Sequence, residues 1–167
     1  MKYLRGCLIE QKELADAFYE AYERCFEEKN THIDEYNRIV SHIVAIPGFV
    51  NGLFACELYF KYLLGNKVNN LEVKDRHNLK SLFDNLDDTF KNELNHVKCD
   101  SRYTLEGLLE SIGDGFVKWR YIFEDGNESF GNDYPFEYTE YFLETYLPII
   151  KTIATKNYNK NKNLNNH

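Results

Sequence analysis

Apolar side chains recur at intervals of three and four along most of this chain, and no stretch sustains the apolar–polar alternation of a half-buried strand. That one pattern excludes strand-rich folds. Leu14, Ala17, Phe18, Ala21, Tyr22, Cys25 and Phe26 form one such stripe, with Glu13, Glu20, Glu23, Glu27 and Glu28 on the other side, which predicts a first amphipathic helix. Ile33, Tyr36, Ile39, Val40, Ile43 and Ile46 repeat the spacing and predict a second helix that ends or kinks at Pro47-Gly48. From Phe49 the stripe Phe49, Leu53, Cys56, Phe60 and Leu63 is flanked by Phe54, Leu58 and Leu64, wide enough for a helix buried on most sides. It carries Asn51, Glu57 and Lys61, which suits a core helix and not a membrane span.

Beyond Gly65 the chain turns polar as far as Asn78, and two short helices are predicted next, one with Leu79, Leu82, Phe83 and Leu86 inward and one with Phe90, Leu94 and Val97. Asp87 or Asp88 is placed to cap the second. Leu105, Leu109, Ile112, Phe116, Trp119 and Phe123 set a heavy seam on one long helix, in which Gly113 and Gly115 leave room for a close neighbour. Asp125 to Pro135 is loop-like, and a last helix follows with Tyr138, Tyr141, Phe142, Ile149, Ile150 and Ile153, kinked at Pro148. There is no repeat of solenoid length. The expectation is an all-α bundle of about five to seven helices in one domain over residues 1–156, with an Asn- and Lys-rich tail, 157–167, left disordered.

The 167 residues suit one compact core, and 43% hydrophobic content with 13 Tyr and 12 Phe fills it. A net charge of −7 argues against a protein that coats nucleic acid through broad positive potential, although a local basic pocket stays open. Cys7, Cys25, Cys56 and Cys99 are too widely spaced for a zinc site and read as reduced, mostly buried thiols. The three-residue apolar run near the N-terminus is too short for a signal peptide, so the expected location is cytoplasmic. His32, His42 and His96 have no partner at metal-ligand spacing, and neither a metal nor a cofactor is expected.

Candidate binding residues fall into two groups. Lys74, Arg76, His77 and Lys80 concentrate positive charge at a helix entrance, where His77 either caps the helix, is plainly solvated, or binds a phosphate. Glu57 and Lys61, like Arg120 and Glu124, are four apart, the spacing of a same-face salt bridge; alternatively Glu57 and Arg120 pair between helices and define a polar pocket. Trp119 lies on the core seam and serves packing or base stacking.

Three segments, Ala55-Cys56-Glu57-Leu58-Tyr59-Phe60-Lys61, Arg76-His77-Asn78-Leu79 and Trp119-Arg120-Tyr121, resemble in this order the Ala-x-Glu-x-x-x-Lys helix, the Gly-His-x-Leu junction and the late Trp-Arg-Tyr segment of the HEPN superfamily, with Arg76 in place of the glycine. The resemblance covers roughly residues 31–155. It implies a small helical domain, commonly a homodimer, in toxin–antitoxin or phage-defence systems, with a nucleotidyltransferase-like partner protein in some of them. Many members are metal-independent ribonucleases that use an Arg followed four to six residues later by His. Here no histidine follows Arg120 until His167, so the acid–base half of that mechanism is missing. The expected function is therefore a non-catalytic HEPN-like binding or regulatory module. The alternatives are a degenerate ribonuclease using Arg120, and a domain that binds a nucleotide or small metabolite, with Glu57, Arg76, His77, Lys80, Trp119, Arg120 and Glu124 as its candidate site residues.

Overall fold

The computed structural model describes residues 8–27, 30–37, 39–42, 44–98, 100–113 and 136–164. Over these it is an all-α bundle of six α-helices with one small hairpin: α1 (Leu8–Cys25), β1 (Thr31–Ile33), β2 (Ile39–His42), α2 (Ala45–Leu64), α3 (Leu79–Asp84), α4 (Asp88–Asn95), α5 (Leu105–Ile112) and α6 (Phe136–Leu164). Among these helices none is long and apolar enough to cross a membrane.

The central helix is the one the apolar run demanded. Phe49, Leu53, Cys56, Tyr59 and Phe60 are all buried along α2, with α1 and α6 packed beside it and α3 against its C-terminal half. Close approach is possible because two glycines one turn apart face the neighbours. A Cβ on Gly48 would stand 2.4 Å from the Phe26 ring, and one on Gly52 would stand 2.9 Å from both Leu143 Cδ1 and Tyr22 Cδ2. Aromatic rings close the α1–α2 seam, with Phe18 edge-on to Phe54 at 4.5 Å and Phe26 against Phe49 at 5.9 Å.

Several expectations are corrected. The second helix does not form: residues 31–33 and 39–42 pair as an antiparallel hairpin around an Asp34–Asn37 turn, with Asn37 at φ 61° and a register shift beside Ile33. Ile33 faces Ile39 across the ladder, so a spacing that looked helical is the separation of two strand partners. Pro47 does not stop a helix either. It lies in the first turn of α2, where a missing N–H would have had no intrahelical acceptor anyway. On α1, Leu14 and Ala17 are exposed while Ala15 and Tyr19 are buried, so the inward face is turned from the predicted stripe. Tyr138, expected inward on the last helix, is exposed.

Residues 157–164, expected to be disordered, continue α6. Asn and Lys there are ordinary helix residues, and the extension is tied back to α1 and to its own preceding turn: Lys12 Nζ sits 5.3 Å from the centre of the Tyr158 ring, and Asn161 donates to the Asn157 side chain at 3.0 Å. Pro148 does not end this helix, and the Thr152 hydroxyl donates to the Pro148 carbonyl at 2.9 Å.

The short helices follow the sequence more closely. Leu79, Leu82, Phe83, Leu86 and Leu94 are buried, as are Leu105, Leu109 and Ile112. Asn78 caps α3 by accepting the Ser81 amide at 2.9 Å, and Thr104 caps α5 by accepting the Gly107 amide at 3.1 Å. Asp87 stands at the α4 cap position but makes no cap bond, because its carboxylate is taken by Lys67. The rest of the predicted seam, Gly115, Phe116, Trp119 and Phe123, lies outside the described residues, as do Cys7, Arg38, Ile43, Cys99, the loop 125–135 and His167.

Candidate functional site

Glu57 sits in the middle of α2 and is fully buried. Its Oε1 accepts two charge-assisted bonds, from Lys61 Nζ one turn along the same helix at 2.6 Å and from His77 Nδ1 at 3.0 Å. The i,i+4 spacing of Glu57 and Lys61 does make a salt bridge, but an interior one, with side-chain exposures of 1% and 14%. Glu57 also pairs between elements, and the partner in the described structure is His77. Its Oε2 is buried and makes no hydrogen bond to a described residue.

His77 reaches Glu57 because of the chain path between them. Gly65, at φ 55°, ends α2, and the polar stretch that follows folds into two 3₁₀ turns, Gly65–Asn70 and Val73–His77. Arg76 fastens these turns to each other, donating from Nε to the Leu71 carbonyl at 3.0 Å and from Nη2 to the Asn69 carbonyl at 3.1 Å. Asn78 then starts α3, so capping falls to Asn78 and not to His77. The end of α5 closes the far side. The Leu79 amide donates to the Gly113 carbonyl at 2.9 Å, and a Cβ on Gly113 would stand 2.8 Å from the Asn78 side-chain amide. The room expected at Gly113 is thus used.

The chemistry of the cluster follows from these contacts. A carboxylate only accepts, so in the neutral ring the nitrogen facing an ionised Glu57 carries the one proton, and Nε2 keeps the lone pair. The His77 side chain is 55% exposed, and its Nε2 makes no hydrogen bond to a described residue. The result is an imidazole in water held by a carboxylate in the dry interior. Burying that carboxylate costs several kcal/mol, which Lys61 and His77 offset, and an oxygen left without a donor adds about 1–3 kcal/mol more.

The remaining candidates do not join it. Lys80 is held by Asp84 at 2.7 Å and Glu106 at 3.4 Å, and the Asp84 hydrogen bond, with Glu106 adding to it, raises its pKa. Lys74 pairs with Glu72 at 3.1 Å. The basic stretch is therefore divided among separate partners. Trp119, Arg120 and Glu124 lie outside the described residues.

A second polar cluster joins α1 to α2. The buried Tyr59 hydroxyl donates to Asp16 at 2.7 Å, and Lys12 donates to the other Asp16 oxygen at 2.6 Å. Burial first, and then the Asp16 bond, push the Tyr59 phenol far above its ordinary range. Burial likewise raises the Cys56 thiol, which is free and inert in the core as its position on an apolar stripe suggested. Among the described residues no His, Cys, Asp and Glu side chains gather as they would around a metal ion. Two surface grooves were not legible in the sequence: one of about 300 Å³ between Phe90 and Glu93 of α4 and Ile153 and Lys156 of α6, and one of about 240 Å³ framed by Arg102, Tyr103, Gly107 and Tyr138. Neither is lined by Glu57 or His77.

Set against protein-family models, curated proteins and solved structures, the chain matches none.

Proposed function

We propose that this chain is a non-catalytic HEPN-like binding or regulatory module, cytoplasmic and homodimeric, that serves a toxin–antitoxin or phage-defence system and takes its ligand at Glu57, Lys61 and His77. The observation that carries this reading is the buried Glu57 Oε2, an anionic acceptor with no donor among the described residues, beneath a half-exposed imidazole. Unsatisfied buried polar atoms are few in folded proteins and concentrate where a ligand or chemistry completes them. A ligand presenting an N–H or O–H, such as a nucleobase edge, would satisfy Oε2 once His77 swings aside.

Differential scanning fluorimetry with a panel of nucleotides tests it. A ligand at one hundred times its Kd adds about 2.7 kcal/mol, or about 5–11 °C for a domain of this size. The shift is expected in the natural chain and lost in Glu57→Gln. No shift with any nucleotide would refute the nucleotide form of the reading.

One observation favours a second reading, a metal-independent ribonuclease in which Arg120 stabilises the phosphorane. His77, oriented by Glu57, is a proton-transfer group of the kind missing after Arg120. Cleavage of mixed RNA that is lost in both Arg120→Ala and His77→Ala would establish it and end the non-catalytic proposal. Co-purification with a nucleotidyltransferase-like protein would place the chain in a paired system.

A further inference from the structure

We infer that His77 is a phosphoryl-acceptor site, modified on Nε2 by a donor of the phosphoanhydride, acyl phosphate or phosphoramidate class. The inference rests on the same cluster as the ligand reading and deepens it with a mode of regulation. It draws on the ring's own chemistry, and its assay uses no ligand.

Three features point to a nucleophile. The ring is exposed enough to be reached, its Nδ1 is engaged at 3.0 Å by a carboxylate that is 1% exposed, and its Nε2 is without a partner among the described residues. When the Nε2 lone pair attacks phosphorus, the N–P bond forms and the bond from phosphorus to the leaving group breaks, its electron pair departing with that group. The ring becomes imidazolium, and the Nδ1 proton stays on its bond to Glu57 Oε1. The charge that develops lies beside a carboxylate shielded from water, where opposite charges attract more strongly than in solvent. Lys61, on the same carboxylate oxygen, opposes part of that gain, and Glu57 Oε2 remains available as a second acceptor when the ring moves. The added dianion would cover the path to Oε2, so modification and ligand entry would exclude each other.

The chain supplies its own controls. His32 and His96 are also exposed, and His96 turns its Nδ1 toward the Asn92 carbonyl at 2.6 Å, a neutral acceptor. Full-length protein incubated with potassium phosphoramidate, a donor that releases ammonia, is mapped by mass spectrometry at neutral pH, with phosphorus NMR to identify the substituted nitrogen. His77 is expected to react about tenfold faster than His32 and His96, on Nε2, in line with what an oriented second partner contributes elsewhere. Glu57→Gln should bring His77 down to their rate and leave theirs unchanged, and Glu57→Asp should restore part of the preference. Equal rates at the three histidines, substitution on Nδ1, or a preference that survives Glu57→Gln would each overturn the inference. If Glu57→Gln does not fold, the ratio within the natural chain decides alone. Nucleotide binding without a preferred His77 would sink this inference and spare the ligand reading, and the reverse result would do the opposite.

Discussion

Removing both donors from Glu57 should be a strongly damaging pair of changes in this fold, and the reason is the carboxylate they leave behind. His77→Ala takes away one charge-assisted bond; with the imidazole half in water, its loss falls near the low end of the range for such bonds, about 1.5 kcal/mol. Lys61→Ala removes the shorter bond from a better buried ammonium and should cost about 2–3 kcal/mol. Together they leave Glu57 as a buried charge without compensation, a change worth about 3–5 kcal/mol. Against a total stability of about 5–15 kcal/mol for a domain, and at about 2–4 °C per kcal/mol for this length, the double variant should melt about 6–20 °C lower. The decisive comparison is with Glu57→Gln. On that neutral background the same two substitutions should cost less than half as much, because no charge is stranded. Thermal and urea unfolding of the four chains completes the cycle. A double variant within about 1 kcal/mol of the natural chain, or a loss that Glu57→Gln does not relieve, would refute the account of Glu57 as an ionised interior group held by two donors.

Three further outcomes follow from local geometry. Gly52→Ala should destabilise by about 1–3 kcal/mol in urea unfolding, since its Cβ would lie 2.9 Å from Leu143 and Tyr22, whereas Gly107→Ala, which meets only Thr104 Oγ1 at 3.1 Å, should be neutral or stabilising by up to about 1 kcal/mol. Asn78→Ala should cost about 1 kcal/mol for the lost α3 cap, and Asp87→Ala less than half of that in the same assay because it caps nothing. Stability should fall as pH rises above about 10, the ordinary tyrosine value. Burial, with Glu23 adding to it, pushes Tyr19 up to about 12, and burial also raises Tyr22 and Tyr59. The unfolded chain then loses phenolic protons that the folded chain keeps, so stability is whole below pH 10 and lost above it. Urea midpoints that match at pH 8 and pH 11 would contradict this.

The parts of the fold legible in the sequence are those where burial alone sets the pattern. Phe49 to Leu64 could only be a core helix, and Leu79, Leu82 and Phe83, or Leu105, Leu109 and Ile112, each leave one apolar face to cover. What misled was short structure with a coincident period. Strands of three and four residues offer no alternation to detect, and Ile33 and Ile39 sit six apart both on a helix stripe and across a tight hairpin. The signal that could have separated the two is the Asp34–Asn37 turn between β-branched residues, Thr31 and Ile33 before it and Ile39 and Val40 after it. Of the site, Glu57 and His77 stood out as residue types in suggestive places, and Lys61 only as the same-face partner of Glu57. That Glu57 and His77 meet was not legible, because they lie twenty positions apart with two 3₁₀ turns on the way, and the path is set by Arg76 bonding to backbone carbonyls. No pattern of side-chain types announces such bonds.

The meeting of Gly113 with the start of α3 makes the imidazole's position depend on a residue thirty-six places away. One amide-to-carbonyl bond and one side-chain amide wedged where a methyl would go join the end of α5 to the backbone just after His77, beside the Lys80–Glu106 pair between the same two helices. A load that shifts Gly113 would pass through its carbonyl to Leu79, two residues from the ring, so the seating of α5 bears on the aim of the imidazole.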